Sequence, residues 1–151
     1  MKKELQITQL SKKLEEYKEL QQSGRPINGW IKAIRTTLGM SLEQLANRLQ
    51  VSKQNIQGME KREQEMAITL KSLQDVAQAM DMQLVYALVP KDDSLTALIE
   101  RKANELALNI VERTSQNMAL ENQQVNEKQA LYAVKKRKEA ILQEMPKALW
   151  D

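Results

Sequence analysis

The chain has 151 residues, a formal net charge of +3 and 42% apolar residues, but only five aromatic side chains and no Phe. This length fits one domain of ordinary size, or one small domain with an appendage. With so few aromatic residues, aliphatic side chains, Ala and Met must fill the core, which favours a mainly α fold. The absence of Cys excludes disulfides and is typical of the reducing cytoplasm. Because His is also absent, catalytic triads and the usual zinc sites are excluded, and we expect neither an enzyme nor a cofactor.

Residues 1–24 are predicted to form an amphipathic helix as a first region. Its apolar stripe, at three- and four-residue spacing, comprises Ile7, Leu10, Leu14 and Tyr17. The polar faces mix both signs of charge, so packing against its own domain or a second chain is favoured over a membrane surface. No apolar run reaches the roughly 20 residues of a membrane span, and the start lacks the features of a signal peptide. We therefore expect a cytoplasmic protein that does not contact membranes.

Residues 25–90 are predicted to hold four short helices, and three of these helices have a clear starting signal. Ser41 and Gln44 have the spacing of a capping box, in which each side chain binds a backbone N–H of the other residue. Ser52 and Thr69 are placed to cap the next two helices. These signals divide the region into compact helical units joined by tight turns.

The same region ends in a segment with a different pattern. Residues 82–89 are rich in β-forming side chains and stop at Pro90, which predicts one short β-strand. A lone strand in a helical protein leaves its edges unpaired. Pairing with the same strand of a second copy would satisfy one edge, so we expect a homodimer.

Charge is unevenly distributed along the chain. Residues 25–62 have a net charge of +5, whereas residues 63–93 have a net charge of −4. A basic stretch beside an acidic one fits a polyanion-binding face better than a uniformly solvated surface. Chance clustering on a helical surface is the alternative.

Residues 91–151 are predicted to be a helical region for dimerisation or partner binding, with a long helix from Ser94 and a last helix over about 126–145. The last helix contains a run of four bases at 135–138. A solvated helix face explains such a run, and extra phosphate contact is the alternative. We expect the large aromatic Trp150 to dock on these helices.

The spacing at residues 41–62 indicates a helix-turn-helix, because two helices flank a short turn and the second is capped by Ser and rich in amides. This stretch resembles the phage-repressor-like family called XRE, in which Leu45-Ala46, Val51-Ser52, Ile56 and Glu60 would form the packing frame. The resemblance implies that the second of these helices lies in the major groove of DNA. A dimer would then bind a palindromic operator with half-sites about 34 Å apart.

Two positions depart from the family pattern. Leu42 stands where many members carry a Gln that reaches a DNA phosphate, although backbone N–H groups at the start of that helix can still hold the phosphate. Gln50 stands where Gly is common, because the backbone there tends to be left-handed.

The candidate DNA-binding residues fall into two groups. Side chains at the start of the second helix can bind base edges, with Gln or Asn suited to adenine and Lys to guanine. Bases elsewhere, and the two helix starts, are expected to contact phosphates. The base-edge candidates are Lys53, Gln54, Asn55 and Gln57, and the phosphate candidates are Arg35, Ser41, Arg48, Ser52, Lys61 and Arg62. The alternative is that the amides are simply solvated surface.

A longer resemblance extends beyond this unit. It is carried by Arg25-Pro26, Gly29-Trp30-Ile31, Ile34-Arg35, Thr69-Leu70-Lys71, residues 84–90, residues 118–121 and Leu149-Trp150-Asp151. In these residues the chain is similar to the family named mobile mystery protein A, whose genes lie beside genes for Fic-domain enzymes that transfer AMP to hydroxyl groups. The resemblance implies a DNA-binding repressor that is also the antitoxin partner of a Fic-domain toxin.

A short motif bears on that partner. Fic inhibitors carry Ser or Thr, three residues, then Glu followed by Gly or Asn, and residues 117–122 match at Glu121 and Asn122 but depart at Asn117. Such a Glu could pair with the arginine that clamps the γ-phosphate of ATP. A solvated Glu in a dimerising helix is the alternative. The alternatives for the whole chain are a plain dimeric regulator without an inhibitory role and a protein-interaction scaffold that has lost DNA binding.

Overall fold

A computed structural model describes residues 2–120 and 126–151, and the regular structure in those residues is helical. The helices are α1 (Lys2–Glu15), α2 (Leu20–Ser23), α3 (Trp30–Thr37), α4 (Leu42–Leu49), α5 (Lys53–Gln64), α6 (Leu70–Ala79), α7 (Leu95–Leu120) and α8 (Glu127–Glu144), followed by a 3-10 helix at Lys147–Trp150. The mainly α fold is thus confirmed. None of the helices in the described residues has the length and apolar character that crossing a membrane requires.

The chain divides into two compact units. The middle unit, Lys18–Ala87, contains α2 to α6. The terminal unit joins the N-terminal residues up to Tyr17 with Leu88–Asp151, so α1 belongs with α7 and α8. Within the terminal unit, α1 contacts α7 directly.

The core of the middle unit draws one apolar face from each of α3 to α6. Its buried side chains are Ile31, Leu45, Ala46, Ile56, Val76 and Met80. Three- and four-residue spacing places such residues on one side of a helix, which leaves the opposite side free for polar groups. Four short helices can therefore share a single small core.

Side-chain caps set where the helices of the middle unit begin, as predicted. The Ser41 Oγ accepts the Gln44 N–H at 3.0 Å, and the Gln44 Oε1 accepts the Ser41 N–H at 2.8 Å. The Ser52 Oγ accepts the Asn55 N–H at 3.1 Å, and Thr69 caps α6 in the same way. The capping box and the two further caps are confirmed.

The terminal unit is built on the antiparallel pair α7 and α8. Ala103 and Ala107 of α7 are fully buried beside Ile141 of α8 and Leu149 of the 3-10 helix. The expectation that Trp150 docks on these helices is wrong, because 56% of its surface is exposed while Leu149 is only 4% exposed. The 3-10 helix turns Leu149 towards the core and its neighbour outwards.

The predicted β-strand is absent from the described residues. Residues 82–89 have no regular secondary structure, and the side chains of Val85, Tyr86 and Leu88 are exposed. A strand needs a partner for its backbone hydrogen bonds, and no described segment of the chain supplies one. The strand prediction is therefore wrong for this chain, although the apolar pattern behind it is real.

Candidate nucleic-acid interface

The buried side of α5 fixes the orientation of this helix. Ile56, Glu60 and Glu63 follow one another at four- and three-residue spacing, and their exposed fractions are 0%, 7% and 4%. Two of these three side chains are carboxylates, which are rarely buried without a partner. The helix must therefore be held by specific polar contacts as well as by packing.

The first of these contacts is an ion pair with α3. The Nε of Arg35 lies 2.6 Å from the Oε1 of Glu60, and an Nη of Arg35 also donates to the Met40 carbonyl at 3.0 Å. Arg35 is only 8% exposed. Its guanidinium is bound to Glu60 and to the Met40 carbonyl inside the unit. Arg35 is therefore not available to contact a phosphate, contrary to the prediction from the sequence.

The second contact joins the end of α5 to the start of α3. The Glu63 carboxylate accepts the backbone N–H groups of Trp30 and Ile31, each at 2.8 Å. In return, Arg25 donates to the carbonyls of Glu63 and Gln64 at 2.7 and 2.9 Å. The sequence analysis missed this arrangement, because a Glu more than thirty residues downstream of the helix that it caps leaves no local signal.

The outward side of α5 carries the base-edge candidates. Lys53, Gln54, Asn55 and Gln57 are all exposed in the first turns of the helix. Their amide and ammonium groups supply donors and acceptors on a rigid helix whose start is fixed by the Ser52 cap. This is the arrangement that base contacts in a major groove require.

The remaining basic phosphate candidates differ in their exposure and in their contacts within the domain. Lys61 and Arg62 are exposed, and a guanidinium nitrogen of Arg62 lies 3.1 Å from the point that a Cβ on Gly58 would occupy. The space beside Gly58 is therefore covered by a flexible cation. Arg48 donates to the Ala79 carbonyl at 3.0 Å and lies 3.5 Å from Asp81, with half of its side chain exposed.

The turn between α4 and α5 has the shape that the family pattern implies. Gln50 is left-handed, with φ 57° and ψ 43°, and the Val51 N–H returns to the Ala46 carbonyl at 3.0 Å. The turn thus occupies three residues. The hydroxyls of Ser41 and Ser52, at the starts of the two helices, accept the cap bonds, and each hydroxyl can also donate its own proton.

Comparison with protein families agrees with this geometry. Residues 31–86 match the helix-turn-helix family model. The chain carries a helix-turn-helix domain. A comparison with curated proteins and a comparison with solved structures found no significant match. The matched stretch runs from the second residue of α3 beyond α6, so it includes the Arg35–Glu60 ion pair that orients α5, while Trp30 lies just before it. Domains of this class serve DNA-binding transcriptional regulators.

The three residues of the predicted inhibitory motif are only partly described. Asn117 is exposed in the last turn of α7. Glu121 and Asn122 lie outside the described residues.

Proposed function

We propose that this protein is a sequence-specific DNA-binding transcriptional repressor, with no catalytic activity of its own, in which α5 is the recognition helix. The observation that carries the proposal is the division of α5 into two faces. Its inner face is fixed by a fully buried Ile56 and by the Arg35–Glu60 ion pair. Its outer face presents amide and ammonium groups in the first turns, where a helix entering the major groove meets base edges.

The repressor would bind as a homodimer to a palindromic operator. One recognition helix covers only a few base pairs, and two half-sites about 34 Å apart multiply affinity and specificity. The exposed side chains of Val85, Tyr86 and Leu88 support a dimer, since three large exposed apolar side chains within four residues favour burial against a second copy. Size-exclusion chromatography with light scattering measures this state directly.

The test of DNA recognition compares DNA from upstream of the protein's own gene with a shuffled duplex. Fluorescence anisotropy should give at least a hundredfold preference for the upstream DNA. Lys53→Ala combined with Gln54→Ala should remove this preference, because each good base contact contributes about 1–3 kcal/mol of discrimination.

A matched control comes from α6 of the same unit. Lys71→Ala with Gln74→Ala removes the same two side-chain types from exposed positions, and it should leave the preference unchanged. Equal binding of wild-type protein to both duplexes would contradict the proposal and favour the scaffold alternative.

We also propose that the protein is the antitoxin of a Fic-domain enzyme encoded beside it. The support is the family resemblance, together with a Glu-Asn pair at 121–122 directly after α7. The Glu121 carboxylate would pair with the γ-phosphate-binding arginine of the enzyme, so ATP would bind unproductively.

The test of the antitoxin role is AMP transfer by the purified Fic enzyme with and without this protein. Wild-type protein should suppress transfer, and Glu121→Ala should restore it. Glu112→Ala, an exposed carboxylate on α7, is the matched control and should still inhibit. If Glu121→Ala inhibits as well as wild type, Glu121 is not the inhibitory residue. If wild-type protein does not suppress transfer, the protein is a plain regulator.

A further inference from the structure

The outward side of α8 forms a second basic surface, separate from the helix-turn-helix domain. We define the α8 basic face as Lys128, Leu131, Tyr132, Lys135 and Lys136, which three- and four-residue spacing places on one side of the helix. All five residues are exposed, Leu131 by 71% and Tyr132 by 62%. The other side of α8 packs against α7 through Val134 and Ile141.

The charge of this face is mainly positive: the next exposed residue on the same side of α8 is Glu139, four residues after Lys135, so three bases stand beside one acid. Residues 128–138 contain five bases and no acid. Among the ion pairs of the described residues, none involves Lys128, Lys135 or Lys136. The Nζ of Lys136 instead lies 5.5 Å from the centre of the Tyr132 ring, where the π-electrons of the ring attract the ammonium group. Like charges held close together on one helix repel one another, so a polyanion bound here would relieve a standing cost.

From this juxtaposition we infer that the α8 basic face is a second phosphate-contacting surface, which binds the backbone of DNA outside the bases that α5 would contact. The inference rests on the proposed DNA-binding function and adds a site to it. Lys ammonium and Tyr hydroxyl groups are regular donors to phosphate oxygens. Lys128 and Lys136 are about 12 Å apart along the helix, a length of duplex that carries roughly seven phosphate charges.

Two other occupants fit the composition of the face less well. Protein–protein interfaces are depleted in Lys and have an apolar centre, whereas this face has three Lys and only two apolar side chains. A helix that binds a membrane surface needs a broad apolar side, but the apolar side of α8 is already used in the contact with α7.

The test measures the salt dependence of DNA binding for a triple variant, Lys128→Gln with Lys135→Gln and Lys136→Gln. Gln keeps the helix propensity of Lys while removing the charge. Each lost phosphate contact lowers the slope of log affinity against log salt by about 0.9, so three contacts lower it by about 2.7. At 100 mM salt we expect binding to fall at least tenfold, by the same factor on upstream and shuffled DNA, because backbone contacts carry no sequence information.

The matched control removes three exposed Lys charges from α1 of the same unit, in Lys3→Gln with Lys12→Gln and Lys13→Gln. A triple α8 variant with the slope of this control overturns the inference. So does wild-type binding to anionic vesicles of phosphatidylserine that the α8 variant loses while its DNA affinity stays unchanged. Circular dichroism melting of each variant shows that it is folded.

The result of this test can be distinguished from the result of the test of the proposed function. If wild-type protein fails to distinguish upstream from shuffled DNA, sequence-specific repression fails, but the slope on shuffled DNA still reports whether α8 contacts phosphates. If Lys53→Ala with Gln54→Ala removes specificity and the α8 variant keeps its full slope, only the α8 inference fails.

Discussion

Arg35 of α3 and Glu60 of α5 are joined by an ion pair with an N···O distance of 2.6 Å, in a place where both residues are more than nine-tenths buried. Glu60 lies on the helix that we propose to enter the major groove, and Arg35 lies on the helix behind it. The pair therefore sets how α5 is presented, although neither side chain is available to DNA.

Removing one partner of this pair should lower the unfolding free energy of the middle unit more than the substitution of any exposed residue does. Glu60→Ala leaves the Arg35 charge buried without its partner, and the expected loss is about 3–5 kcal/mol of unfolding free energy. Urea denaturation followed by circular dichroism gives the value. Arg35→Met combined with Glu60→Leu removes both charges, so it should recover most of the loss. A double variant as unstable as Glu60→Ala would show that the two charges are not coupled.

Glu63→Ala should also destabilise the unit, by about 1–3 kcal/mol, since two N–H groups at the start of α3 lose their acceptor. Glu65→Ala, an exposed carboxylate two residues away, is the control and should change stability by less than about 0.5 kcal/mol. Equal stabilities for Glu63→Ala and Glu65→Ala would contradict this account of the cap.

Gly29→Ala should also destabilise the unit, because it affects the same contact. The φ of Gly29 is 82°, and an added Cβ would lie 2.8 Å from the Glu63 carboxylate.

Gln50→Gly should stabilise the protein by about 0.5–1 kcal/mol, because Gln50 has the left-handed backbone that Gly adopts without a steric cost. The change leaves all proposed base contacts in place, so operator affinity should not move. Asn47→Gly in the interior of α4 is the opposite control and should destabilise by several tenths of a kcal/mol. If the melting temperatures of the two variants shift in the same direction, the backbone at Gln50 is not strained.

Acid should weaken the attachment of α7 to the loop before it. Hydrogen bonds from Arg101, at 2.9 and 3.1 Å, hold the pKa of Asp92 below its ordinary value of 3.8. A carboxyl whose pKa is lower in the folded state stabilises the fold above its ordinary pKa, and this contribution is lost as the pH falls through the lowered value. Arg101→Met should return the pKa of Asp92 to the ordinary range, which NMR titration of the Asp92 carboxyl carbon measures. An unchanged Asp92 titration would refute the assignment of Arg101 as the cause.

At the end of the chain, Leu149→Ala should cost about 2–5 kcal/mol, whereas Trp150→Ala should be nearly neutral. The expected order is the reverse of what residue size suggests, since Leu149 is the buried member of the two. Chemical denaturation gives the loss of unfolding free energy for each of the two variants. Hydrogen exchange of the α8 backbone amides shows whether the loss is felt at that helix. A larger loss for Trp150→Ala would place the aromatic in the core after all.

The elements that could be predicted from the sequence are those with local signals. Ser41 and Ser52 cap helices through bonds to residues three positions away, so their spacing is readable in the chain. The left-handed backbone at Gln50 is implied by the family resemblance, since Gly is common at this position of the family, and the structure has it. The exposed face of α5 likewise follows from helical spacing around Ile56.

What failed depended on partners that are distant in sequence. Arg35 has the charge of a phosphate ligand, and only the position of Glu60, twenty-five residues later, turns it into a buried structural group. The strand at residues 82–89 was inferred from side chains suited to a sheet, but a strand exists only where another backbone pairs with it. At the end of the chain, the large aromatic side chain predicted burial of Trp150. The 3-10 turn instead points Leu149 into the core and leaves Trp150 exposed.

The separation of α5 into an inner and an outer face has a consequence for how this protein can change. Ile56, Glu60 and Glu63 hold the helix in place and never face outwards. Lys53, Gln54, Asn55 and Gln57 make no contribution to the core, so they are free to vary without loss of the fold. A descendant chain could thus acquire a new operator through a handful of surface substitutions, while the scaffold that aims the helix is inherited intact.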